Sequence, residues 1–154
     1  MAGKQWLKHF IYLVVVIILV LIRVHFMKLA KAYSNETFLI NYYFLSMVIL
    51  TNILLGILLG VEHLISEMKA KGTWKINFPK LILLGVPALY FSIAYVAIYS
   101  QNTLVQYIFS YPLRIFLTYD TSILYIFQLI FGYVIITSFC KKVRKSNNFR
   151  TMNS

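Results

Sequence analysis

The chain has 154 residues, of which 60% are hydrophobic and 12% charged, with a formal net charge of +11. So apolar a composition leaves no room for a separate soluble domain, and its basic excess is better read from where it falls than as a nucleic-acid footprint. A single cysteine, Cys140, excludes any intramolecular disulfide and is expected to be an inert boundary thiol.

Four long apolar stretches, about residues 6–27, 38–61, 81–99 and 123–140, approach the roughly 20 residues a helix needs to cross a bilayer. They predict an all-α integral membrane protein, with residues 1–154 forming one four-helix transmembrane domain. Eleven basic residues lie before or at the start of the first stretch, fill the second loop or follow the last, from Lys4 to Arg150. Four more, Arg23, Lys28, Lys31 and Arg114, fall on the other side. Basic residues favour the cytoplasmic face, so both termini are expected inside, with residues 141–154 forming a basic cytoplasmic tail.

In the first span only 14 residues separate Lys8 from Arg23. That is about 21 Å of helix, so both side chains must snorkel. Trp6 suits an inner-interface anchor, and the run from Leu13 to Ile22 suits contact with lipid. Ala30-Lys31-Ala32 matches a signal-peptidase site, but Arg23, His25, Lys28 and Lys31 crowd the segment, so an uncleaved span is expected.

The second span is predicted to begin after Ser34-Asn35-Glu36, read as its helix cap. Asn52, Gly56 and Gly60 recur every four residues and share one helix face. Gly56-Ile57-Leu58-Leu59-Gly60 is a GxxxG motif that admits close approach of another backbone, and Asn52 and Gln128 are candidate interhelical hydrogen-bonding partners. The helix is expected to run through Glu62-His63-Leu64-Ile65-Ser66-Glu67 and to stop at Gly72. From Thr73 to Phe78 polar and apolar residues alternate, which predicts an extended segment on the inner interface.

Pro79 fits the first turn of the third span, and Gly85 with Pro87 predicts a kink within it. Asn102 to Tyr119 is apolar but holds Gln106, Pro112 and Arg114. A crossing there would put the basic tail outside, so an outer interfacial or re-entrant segment between helices 3 and 4 is expected. Eight tyrosines fall toward the outer side, as an aromatic belt would place them.

Candidate chemistry is sparse. Glu36, Glu62, Glu67 and Asp120 all fall near predicted helix ends, so no carboxylate is expected at the midplane to carry protons. Arg23, Glu36 and Asp120 are predicted at similar depth on the outer side, where an ion pair would offset the cost of a guanidinium in lipid. On the inner side Glu62, His63 and Glu67 form a weak cluster. His63 and Glu67 share a helix face, but further metal ligands are lacking, and a Glu67–Lys71 pair is the plainer reading. The sequence has no nucleophile elbow, P-loop or GxGxxG motif.

These features point to a small non-catalytic, multi-pass membrane protein acting as an accessory or assembly subunit through helix packing and its outer loop. A small oligomeric transporter or channel is the alternative, and a membrane-embedded enzyme built on Glu62, His63 and Glu67 ranks third. Expected partners are the lipid bilayer and either a membrane protein or further copies of the chain, with no cofactor and no nucleic acid. The wealth of Ile, Phe, Tyr, Lys and Asn suits an AT-rich genome and hence a bacterial cytoplasmic membrane.

Overall fold

The computed structural model describes residues 2–98, 102–109 and 122–142, and it is mostly helical. Helix α1 spans Ala2–Thr37 and α2 spans Tyr42–Lys69. Both contain stretches long and apolar enough to cross a membrane. A short strand β1 (Thr73–Ile76) leads into a helical run made of α3 (Phe78–Lys80), a π-helical turn (Leu81–Gly85) and α4 (Val86–Ile98). Residues 103–109 form helix α5, and α6 (Ser122–Thr137) precedes strand β2 (Phe139–Lys142). The apolar parts of the later helices, Phe78–Ala94 and Ser122–Thr137, are shorter than those of α1 and α2.

The boundary between α1 and α2 differs from the sequence expectation. Ser34-Asn35-Glu36 does not cap α2 but belongs to the last turn of α1. Residues 28–33 contain good helix formers and neither Gly nor Pro, so nothing stops α1 there. It ends instead at Phe38, whose φ of 55° puts it in the left-handed region, while its N–H reaches back to the Ser34 carbonyl at 2.9 Å. The true cap of α2 is Asn41, whose Oδ1 accepts from the Tyr43 and Phe44 N–H groups at 3.0 and 3.4 Å.

α2 is the hub. It packs against α1 on one side and α6 on another, and α4 packs on α6. α2 and α6 run parallel, since Asn52 meets Gln128 and Gly60 lies against Ile136 and Thr137. The buried set is small and partly polar, with Val48, Ala88, Ala94, Leu124 and Val134 beside Asn52, Ser92 and Gln128. Large apolar side chains face outward along all the long helices, and α1 buries none of its apolar window inside the chain.

The alternating stretch after α2 is extended, and it has a partner. β1 pairs antiparallel with β2, with Trp74 opposite Lys141 and Ile76 opposite Phe139. Residues Phe139–Lys142, expected to finish the fourth span and open the tail, are therefore strand. The strand is tied in by Asn77 N–H, which donates to the Ser138 carbonyl at 2.8 Å. Where a kink is expected, a π turn over Leu81–Gly85 ends two residues before Pro87. A wider turn is one way for a helix to absorb the N–H that proline lacks and the bulk of its ring.

Of the segment from Asn102 to Tyr119, expected on the outer side, only residues 102–109 are described, and Arg114 and Pro112 lie outside them. Asn102 Oδ1 caps α5 through the Leu104 and Val105 N–H groups. The helix folds back onto α4. Phe109 stacks on Tyr90 with centroids 4.8 Å apart, and Tyr90 Oη donates to the Ile108 carbonyl at 3.1 Å. Phe91 stacks in turn on Phe127 of α6 at 4.5 Å, and Phe91 and Phe109 pack around buried Ala94 and Leu124. Residues 110–121 and 143–154 lie outside the described part, and with them most of the basic tail.

Candidate functional site

Three places gather polar side chains: the seam between α2 and α6, the end of the bundle that carries the β ribbon, and a cleft at the opposite end. In the seam, Asn52 Nδ2 donates to Gln128 Oε1 at 2.7 Å, and both residues are buried. One turn on, Gly56 lies against the Leu129 backbone so closely that a Cβ there would overlap its carbonyl oxygen. Gly132 of α6 does the same to the Ile53 carbonyl of α2, so each helix offers its backbone to the other's glycine. Gly60 meets the Ile136 side chain instead.

Gly132 was not among the residues singled out from sequence, although a signal for it exists. Gln128-Leu129-Ile130-Phe131-Gly132 repeats the amide-to-glycine spacing of Asn52-Ile53-Leu54-Leu55-Gly56. The shared period places an amide and a glycine on one face of each helix, and two such faces meet amide to amide and glycine to backbone.

At the ribbon end, Glu62 is exposed and Glu67 half-buried, and His63 Nε2 is buried without a hydrogen-bond partner among the described residues. Glu67 does not pair with Lys71. Its Oε2 accepts from the backbone N–H of Lys141 at 2.5 Å, which docks β2 on the end of α2. Lys141 Nζ donates to the Met68 and Ala70 carbonyls, both at 2.9 Å, and lies 5.0 Å from the Trp74 ring centroid. Lys80 Nζ similarly donates to Thr137 Oγ1 at 2.7 Å and to its carbonyl at 3.4 Å. Two lysines read from sequence as orientation signals thus also satisfy carbonyls at the C-terminal ends of α2 and α6, where positive charge is favoured. Among the described residues, no three His, Cys, Asp or Glu side chains gather as metal ligands would.

This arrangement makes a direct prediction. Glu67→Ala removes the acceptor that holds β2, so hydrogen exchange at the Lys141 amide should accelerate by roughly tenfold, as loss of a charge-assisted bond worth about 1.5 kcal/mol implies. Mass-spectrometric exchange on peptides covering residues 139–142 measures it. Unchanged protection would mean that pairing with β1 alone holds the strand.

In the third place, Arg23 does not meet Glu36. The two residues are on one continuous helix, thirteen positions apart, which is about 20 Å along its axis. Asp120 lies outside the described residues. The guanidinium of Arg23 instead lies 4.7 Å from the ring centroid of Tyr125 on α6, whose hydroxyl points to Met27 Sδ at 3.9 Å. Beside them opens a cleft of about 480 Å³ between α1, the start of α2 and the first described turn of α6. No protein-family model, curated protein or solved structure matches the chain.

Proposed function

We propose that the chain is a non-catalytic, multi-pass membrane protein of the bacterial cytoplasmic membrane with four helical spans and both termini inside, serving as an accessory or assembly subunit. One observation carries this reading: several buried polar side chains bond within and between the helices, while large apolar side chains face outward. Asn52 bonds to Gln128, and Ser92 Oγ and Ser138 Oγ each donate to the carbonyl four residues back. Side chains such as Leu13, Leu21, Leu83 and Ile126 stand exposed. That is the distribution a bilayer favours, because lipid solvates apolar side chains and leaves backbone and polar groups to satisfy one another.

The subunit reading rests on α1, which touches the rest of the chain along one flank and offers the remainder of an apolar helix to its surroundings. A photo-crosslinking residue at Leu13 or Leu21 should capture a second membrane protein in native membranes. Capture of the chain's own copies would favour the oligomeric pore instead, and capture of lipid alone would defeat both readings.

The topology has its own test, in a Cys140→Ser background. Leu39→Cys, in the link between α1 and α2, should react on intact cells with an impermeant thiol reagent, whereas Ser154→Cys should react only after permeabilisation. Equal labelling of the two would overturn the arrangement.

A further inference from the structure

We propose that the cleft beside Arg23 is a binding site for the anionic phosphate group of a membrane phospholipid. The lining is built by one stripe of α1. Arg23, Met27, Ala30, Lys31 and Ser34 recur at the three- and four-residue spacing that keeps side chains on one helix face. This stripe carries two cations and a hydroxyl in a helix whose earlier half is a run of Val, Ile and Leu. Opposite it stand Asn41, Leu45 and Tyr125.

Three features favour an anion. Two cations, Arg23 and Lys31, line the cleft, and no carboxylate does so among the described residues. Tyr125 occupies one face of the guanidinium, yet among the described residues no acceptor takes any of its five N–H donors. Asn41 brings the N-terminus of the 28-residue helix α2 to the same cleft, and that end of a long helix carries partial positive charge.

The form of the ligand follows from the rest of the lining. Met27, Ile40 and Leu45 put apolar surface beside the cations, so a group that is charged at one end and hydrocarbon at the other matches better than a wholly hydrophilic one. The volume lies within the roughly 300–1,000 Å³ of small-molecule sites. Arg23 stands about 12 Å along the axis from Lys31, so the two charges lie at different depths, as the phosphate layer and the outermost solvent would require. A guanidinium held at the deeper level is retained at lower cost when a phosphate meets it bidentately.

This inference rests on the membrane reading, and the experiment separates the two. The chain is placed in nanodiscs of phosphatidylcholine alone or with phosphatidylglycerol, and retained lipid is read by native mass spectrometry beside thermal unfolding. Wild type should retain phosphatidylglycerol selectively and unfold at a higher temperature with it. Arg23→Gln and Lys31→Gln should each reduce retention roughly fivefold, the weight of one basic residue near an anionic surface. Lys28→Gln, an exposed cation of the same helix outside the cleft, should change nothing.

Inorganic phosphate added to phosphatidylcholine discs tests the other source of the same chemistry. Protection by phosphate equal to that by phosphatidylglycerol would overturn the lipid assignment. Equal retention of phosphatidylglycerol by wild type and Lys31→Gln, a variant at an exposed position that leaves the helix contacts intact, would overturn the site. Failure of the wild-type chain to enter discs at all would instead overturn the membrane reading.

Discussion

Gly56→Ala and Gly132→Ala should each destabilise the bundle severely, while Gly60→Ala should be distinctly milder. The difference lies in what the added methyl meets. At Gly56 it overlaps the Leu129 carbonyl, and at Gly132 the Ile53 carbonyl, and neither backbone can move without shifting a whole helix. At Gly60 it meets Cγ2 of Ile136, a branch methyl whose χ1 is nearly fixed in a helix, so relief has a cost, but it takes a side-chain adjustment and not the displacement of a backbone carbonyl.

Overpacking a close contact costs about 1–3 kcal/mol, and rigid backbone on both sides puts the first two variants at or above the upper value. For a chain of this length that corresponds to a fall of roughly 6–12 °C in Tm, against a few degrees for Gly60→Ala. Thermal unfolding in one mild detergent compares the three. Equal losses at Gly56 and Gly60 would mean that α2 and α6 do not approach as closely at Gly56 as described.

The seam was half legible in the sequence because helical periodicity alone puts Asn52, Gly56 and Gly60 on one face. Which helix they meet depends on tertiary packing, and it became readable only through the repeat of the spacing at Gln128 and Gly132. The join of α1 to α2 is not legible locally, because cap chemistry at Ser34-Asn35-Glu36 competes with the helix-forming residues before it. The effective cap, Asn41, sits among apolar residues that look like the interior of a span.

That one shift removes the Arg23–Glu36 pair, because a continuous α1 carries Glu36 far from Arg23 along the axis. Alternation marked Thr73 to Phe78 as extended. Nothing local distinguishes Phe139–Lys142 from a fraying helix end, and its strand state is set by β1, Glu67 and the Lys141 side chain across the chain. Lysines at such ends cap carbonyls, a role that composition and spacing alone do not reveal.

The amide pair should show a rescue that separates hydrogen bonding from packing. In the native seam Asn52 Nδ2 has its acceptor, whereas Gln128 Nε2 is buried with no partner among the described residues. Asn52→Leu therefore leaves Gln128 unpaired at both ends of its amide, in a position with no exposure. Gln128→Met strands the Asn52 donor but also removes the unsatisfied Gln128 amide nitrogen, so it should be the milder of the two single changes. A stranded buried group costs about 1–3 kcal/mol, and couplings between polar side chains in membrane helices average about 0.6 kcal/mol with a ceiling near 1.7. Asn52→Leu is accordingly expected near the upper end of these values and Gln128→Met near the lower. The double variant Asn52→Leu/Gln128→Met replaces two polar groups with apolar ones of similar length, and it should recover most of the stability that Asn52→Leu loses. Unfolding temperatures of the four proteins in one detergent close the cycle. Strictly additive losses would mean that Asn52 and Gln128 stabilise the seam separately, by filling space, and that their hydrogen bond contributes nothing to holding α2 against α6.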